Sequence, residues 1–198
     1  AEVNARSPFQ LTQTESSALA YQMRGFFNRE NWKNLATADT NEERSNQTIT
    51  RIMDKASAVV ATAKKVLNMG DNLAEILNTA NVFGGTNDIE TNFNRFLRKN
   101  AEMINAGLDI DERQAVIKGG IQMNMAYRQR GFSATSAALI MDKATSAMIN
   151  ATSLNREGIN IDVNRAANVA AEKTAIFLDT QSNELQLALV TGGVLDNS

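Results

Sequence analysis

The chain has 198 residues, a formal net charge of −2, 43% hydrophobic and 21% charged residues, and neither histidine nor cysteine. Its length holds one large domain or two small ones, and its composition is globular rather than disordered. The two missing residue types remove disulfides, thiolate nucleophiles, soft-metal ligation and the commonest acid/base group near neutral pH, while the charge balance gives no drive toward nucleic acid.

The elements read as helices in chain order. A single proline, Pro8, lies near the start, and everything after it lacks the strongest helix breaker. The start Ala1-Glu2-Val3 is read as an initiator Met or a longer leader removed. Residues 1–10 read as an extended arm. Thr12 and Glu15 have capping-box spacing, and Leu19, Met23, Phe26 and Phe27 then share one apolar face. Residues 36–44 are polar, a loop or helix entry. From 45 to 69, Ile49, Ile52, Met53, Ala56, Val59, Val60 and Ala63 recur in steps of three and four, a seam of 3.5-residue period, with Gly70 as its C-cap. A shorter helix carries Leu73, Ile76, Leu77 and Ala80 to Gly84-Gly85. Thr86 or Asn87 caps the next, which bears Ile89, Phe93 and Phe96 and closes at Gly107. Asp109 or Asp111 starts another, with Gly119-Gly120 inside it as a kink or close packing point. Gly131 ends that helix, and Ser133 caps a second seam of Ile140, Met141, Ala144, Ala147, Met148 and Ala151 that closes at Gly158. A last helix runs from Asp162 to Val190 on Val163, Ala166, Ala170, Phe177, Leu185 and Leu189, and Gly192-Gly193 ends it.

The two seams echo each other. Ile52-Met53-Asp54-Lys55-Ala56-Ser57 recurs as Ile140-Met141-Asp142-Lys143-Ala144-Thr145, and the stretch 107–111 resembles 158–162. Duplication of a helical hairpin over 45–85 and 133–173 is one reading; coincidence between amphipathic helices of one small alphabet is the other.

Candidate sites read blandly. Asp109 and Asp111 form a D-x-D, but Arg113 and Gln114 stand where a calcium loop needs oxygen ligands, so N-capping is the reading. Glu42, Glu43 and Glu112 read as solvated faces and first-turn dipole partners. Neither nucleotide-binding glycine motif occurs. The basic clusters Lys64-Lys65, Arg95 with Arg98-Lys99, and Arg128 with Arg130 are interspersed with acids and read as solvated surface. Catalytic residues, metal ligands and cofactors are all expected to be absent, and no run reaches the roughly 20 apolar residues of a membrane span. The methionines read as core, or as an adaptable binding face. Phe9, Phe26, Phe27 and Trp32 are the candidate interface anchors.

The stretch 126–150, AYRQRGFSATSAALIMDKATSAMIN, resembles a segment of the small internal virion (DNA-ejection) proteins of short-tailed bacteriophages: a helix, a glycine break with serine capping, then an alanine-rich helix. It covers about an eighth of the chain. The resemblance implies a non-enzymatic helical protein stored in a capsid and assembling into a conduit. The Ala/Gly-rich amphipathic start expected of that family is missing here, which detracts from a pore role.

The expectation is an all-α chain: an antiparallel helical bundle of long amphipathic helices with an extended N-terminal arm. Residues 1–35 hold the arm and first helix, and residues 36–198 form one helical domain. The expected function is non-enzymatic, a structural or assembly protein whose partners are copies of itself and other structural proteins of a virion, tail or filament. The alternative is a helical adaptor or regulator that binds a protein through a Met-rich groove. An enzyme using carboxylates or lysine alone comes third.

Overall fold

The computed structural model describes residues 12–26 and 42–196. Among these the fold is all-α, with no strand: α1 (Gln13–Phe26), α2 (Glu42–Val66), α3 (Leu73–Gly84), α4 (Ile89–Asn105), α5 (Ile110–Gln129), α6 (Ala134–Arg156) and α7 (Val163–Asp196). The chain divides into two compact units, Ala1–Ala115 and Val116–Ser198. The helical domain expected over 36–198 is thus shared between two units, and the division falls inside α5.

Helix ends follow local chemistry. The Glu15 amide donates to Thr12 Oγ1 at 3.2 Å, which starts α1. Asp109 and Glu112 each accept the other's backbone amide, both at 2.9 Å, a complete capping box for α5. Ser133 caps α6 and Asp162 caps α7. α4 is capped by Asp88, which accepts from the Thr91 amide at 3.0 Å, not by Thr86 or Asn87. At the other ends, Gly107, Gly131 and Gly158 take positive φ, and the amides of Leu108, Phe132 and Ile159 donate to carbonyls five residues back. These bonds satisfy carbonyls that the helix itself leaves without donors. α2 ends differently from expectation. Asn68, at φ 51°, supplies the left-handed residue instead of Gly70, because asparagine also tolerates that region, and the Met69 amide donates to the Ala63 carbonyl at 3.0 Å.

In the first unit α2 packs on α3 and α4, and α1 lies against α2 and α3. Ile52, Ala56, Val59, Val60 and Ala63 of the first seam are buried, while Ile49 and Met53 are only half-buried at its margin. The core opposite them is bulky: Phe83 meets Phe96 edge-on at 6.1 Å, with Phe93, Leu77 and Ile76 fully buried around them. The α3–α4 corner is closed by Asn92. Its amide nitrogen donates to Asn81 Oδ1 (2.7 Å) and to the Thr86 carbonyl (2.9 Å), and its oxygen accepts from the Thr86 amide (2.9 Å) and hydroxyl (2.6 Å). A side chain buried completely thus has all four bonding positions filled. Gly84 lies directly against it, so close that a Cβ there would stand 2.2 Å from Asn92 Cα. In the sequence Gly84 reads only as a helix stop.

Lys55 donates to Glu90 Oε1 at 2.6 Å, and Arg51 grips both Glu90 oxygens at 2.8 and 2.9 Å, tying α2 to α4. The Arg51 hydrogen bonds hold the Glu90 carboxyl below its ordinary range, against partial burial that pushes it up. The first turn of α5 closes the end of α2. Arg113 Nε donates to the Val66 carbonyl (2.8 Å) and Gln114 Nε2 to the Leu67 carbonyl (2.7 Å).

In the second unit the dominant contact is α6 on α7. Ile140, Met141, Ala144, Met148 and Ala151 of the second seam are buried and Ala147 is half-buried, while Ala138, Thr145 and Thr152 are buried on a further face. α6 therefore buries about half its circumference rather than the narrow stripe of a 3.5-residue seam. Each seam is covered within its own unit. The echo persists in one detail: the Ser57 and Thr145 hydroxyls are both fully buried and donate to the carbonyls of Met53 (3.1 Å) and Met141 (2.8 Å). Serine and threonine satisfy themselves this way inside helices. The second echo holds only at the glycines, since the cap is Asp109 in one copy and Asp162 in the other.

Candidate interaction surface

α7 is placed by a tight corner. Asn155 Nδ2 donates to the Ile161 carbonyl (2.8 Å), and the Ile161 amide donates back to Asn155 Oδ1 (2.6 Å), just before the Asp162 cap. α7 then lies on α6 through Ala167, Ala171 and Ala175, all buried. These alanines, four residues apart, are the packing face; of the residues expected there, Ala166 and Ala170 are half-buried beside it, whereas Phe177 is 56% exposed and Leu185 and Leu189 stand in solvent. Its other flank meets the end of α5. The Tyr127 hydroxyl and Arg130 Nη1 both donate to Glu172 Oε1 at 2.7 Å. Arg130 lies over the Tyr127 ring at 4.6 Å, and Phe132 packs edge-on to that ring at 5.6 Å. These bonds lower the Glu172 pKa, the Tyr127 bond most, and raise that of Arg130. Burial first, and then Glu172, pushes the Tyr127 phenol up.

α7 is longer than its support. It has 34 residues and α6 has 23, about 51 Å against about 34 Å at 1.5 Å per residue. Beyond Leu178 every described side chain through Thr191 is exposed, although after the polar run 179–184 the sequence turns apolar again at 185–190. Leu185, Leu187, Leu189 and Val190 are each between 63% and 68% exposed, and Ile176 is 62% exposed. At about 100° per residue these fall on two opposed stripes. Leu178, Leu185 and Leu189 continue the angular position of Ala167, Ala171 and Ala175. Val169, Ile176, Leu187 and Val190 lie on the far side. The helix also runs on through Gly192-Gly193 to Asp196, where a stop was expected; a glycine pair only lowers helix propensity. A helix apolar on more than one side is one that normally lies buried, and large exposed apolar patches mark interaction sites.

The residues named from sequence as interface anchors fall elsewhere. Phe9, Phe27 and Trp32 lie outside the described residues, and Phe26 closes α1 with its side chain also outside them. The methionines expected to line a groove are dispersed: Met23, Met103, Met141 and Met148 are buried in the two cores, and Met125 is half exposed. Asp109 is occupied as a helix cap. Lys64 pairs with Asp71 (3.0 Å) and Glu15 (3.7 Å), and Lys99, 3% exposed, pairs with Glu102 (3.0 Å). Among the described residues no cluster of three or more acidic side chains is arranged to hold a metal ion, and no helix is long and apolar enough to cross a membrane. The signal that would have found the α7 surface was in the sequence, as Leu185-Gln-Leu-Ala-Leu-Val190: apolar residues too dense for one helix face.

The chain matches no family model, no curated protein and no solved structure.

Proposed function

We propose that this chain is a non-enzymatic structural subunit that associates with copies of itself and with other structural proteins in a larger particle, a virion, tail or filament component, with the distal half of α7 as its docking element. The observation that carries this reading is the distal half of α7 itself, which presents four large apolar side chains more than 60% exposed, with Ile176 a fifth just before it. Covering such side chains is worth roughly 25 cal/mol per Å² of apolar surface removed from water, which is a driving force for association. The resemblance of 126–150 to internal virion proteins points the same way, as does the polar chemistry. The Asn92, Glu90 and Glu172 clusters each have their polar atoms engaged in holding helices together, as structural groups do.

The experiment is size-exclusion chromatography with light scattering on the full chain over a hundredfold concentration range. A mass above the 21.6 kDa of one chain, rising with concentration, is expected, together with its loss when Ile176, Leu185, Leu187 and Leu189 are all changed to Gln, which removes both apolar stripes. A wild-type chain that stays monomeric throughout overturns the reading.

A further inference from the structure

The far stripe of α7 has an internal order. Resting on the self-association reading above, we infer that it is a two-fold seam on which α7 of one copy pairs antiparallel with α7 of a second copy. The exposed positions Val169, Lys173, Ile176, Thr180, Asn183, Leu187 and Val190 follow one another in alternating steps of four and three, the spacing of a coiled-coil seam. The polar members sit in the middle, Thr180 and Asn183, and large apolar residues stand on both sides. Turned end for end about the midpoint of those two, the seam matches itself. Ile176 faces the second copy's Leu187, Thr180 faces its Asn183, and Val190 faces the aliphatic stem of its Lys173, whose ammonium can extend to solvent. Pairing the other way, in parallel register, sets Lys173 against Lys173 across the seam, a like-charge contact that costs free energy.

Charge selects the same occupant. After Lys173, residues 174–196 hold Asp179, Glu184 and Asp196 and neither lysine nor arginine, whereas the start of α7 holds Arg165 and Lys173. Glu172, the acid of that proximal part, is already taken by Arg130 and Tyr127. In the antiparallel register Asp196 comes within two residues of the level of the second copy's Arg165, while Asp179 stands level with its Glu184; parallel alignment lays like beside like at every charged position, Arg165 and Lys173 included. The isologous contact is a two-fold one, the commonest closed symmetry of homo-oligomers. It leaves the opposite stripe, Leu178, Leu185 and Leu189, free for a further neighbour.

Because the chain has no cysteine, a single introduced thiol reads the pairing directly. Full-length Ile176→Cys and Leu187→Cys chains are oxidised separately and then as an equimolar mixture. In the antiparallel seam the two positions face each other, so the mixture forms disulfide-linked dimers at least fivefold faster than either variant alone. In each variant alone the thiols lie about 16 Å apart, eleven residues of helix rise, beyond the roughly 7 Å Cα separation a disulfide spans. Fast linkage of Leu187→Cys alone means parallel pairing and overturns the geometry while leaving self-association standing. Linkage no faster in the mixture than in either variant, from a wild-type chain that is oligomeric by light scattering, overturns the far stripe as the seam. A monomeric wild type overturns the underlying reading as well. The side chains replaced are already exposed, so unchanged helical circular dichroism of Ile176→Glu/Leu187→Glu, with its mass reduced, separates lost pairing from lost folding.

Discussion

The two units solve the same problem with different side chains. The first buries Phe83, Phe93, Phe96, Ile76, Leu77 and Met103, a core of large groups that keeps helices apart and fills the space between them. The second also buries Ile140, Met141 and Ile149, but the α7 side of its α6–α7 contact is alanine, Ala167, Ala171 and Ala175, so that face permits close approach and each of its residues removes little apolar surface from water. What each leaves outside follows. In the first unit most of the bulky residues are consumed by the core, and Tyr21 and Ile104 stand exposed singly. In the second the large residues of α7 are not needed for the α6 contact and stand in solvent. Small residues at an interface secure close approach; large residues outside it are available to another molecule.

The comparison breaks most visibly through volume. Phe96→Ala opens a cavity beside Phe83, and a loss of about 3–5 kcal/mol is expected by chemical denaturation. The reverse change belongs to the second unit. Ala171→Leu forces a side chain between α6 and α7, and overpacking is expected to cost about 1–3 kcal/mol. Tolerance of Ala171→Leu at full stability would mean that the alanine contact is loose and that the contrast between the units is wrong.

Glycine gives a second contrast of smaller size. At Gly84 an added methyl meets the Asn92 backbone, at 2.2 Å from its Cα, and backbone there cannot yield without parting α3 from α4. Gly84→Ala is expected to cost about 3 kcal/mol, the upper part of the usual range for overpacking. At Gly119 the added methyl meets only the Met148 terminus, 3.2 Å from its Cε, which is flexible and can rotate away. Gly119→Ala, free of backbone overlap, is expected to be neutral or to gain up to about 1 kcal/mol from helix propensity. Paired thermal melts of the two variants check this.

The fold class was legible because one early proline and steps of three and four leave little besides helix, and the ends were legible where chemistry is local, as at Thr12, Asp109, Ser133, Gly107, Gly131 and Gly158. Asn68 is not legible because Gly70, two residues on, offers the left-handed region at lower steric cost. The α7 packing face was missed for a physical reason. Ranking by hydrophobicity selects Phe177, Leu185 and Leu189, but burial is set by where α6 lies and where it stops, and the face that fits is alanine. Asn92 was illegible because its value comes from Asn81, Thr86 and Gly84 meeting it at a corner. The interaction surface was half legible: the apolar density of 185–190 is in the sequence, while its freedom from cover depends on the lengths of two helices.

Acid separates the units more gently. Arg51 holds the folded-state pKa of Glu90 below its unfolded value, so its contribution is present above the unfolded pKa and fades as pH falls through the folded one. For a partly exposed pair this is at most about 1 kcal/mol. Glu90→Gln should lower the thermal midpoint at neutral pH and narrow its difference from wild type as pH drops below the ordinary carboxylate range. An equal difference at both ends would show that the ion pair contributes nothing.

The smallest effect concerns Tyr127, where burial first and the Glu172 contact second raise the phenol pKa. A raised acid favours its protonated form in the folded state, so the stability it brings is present below the unfolded pKa and is lost as pH rises through the folded one. Ultraviolet titration in a Tyr21→Phe background leaves Tyr127 as the sole phenol, since the chain has two tyrosines. Its midpoint is expected above the ordinary value near 10. Glu172→Gln removes the carboxylate charge beside the hydroxyl but not the burial, so the midpoint should fall partway, never to the ordinary value. A fall all the way would make Glu172, not burial, the dominant cause. An unchanged midpoint would mean that the Tyr127–Glu172 bond, and with it the seating of α7 on the end of α5, is not formed in solution.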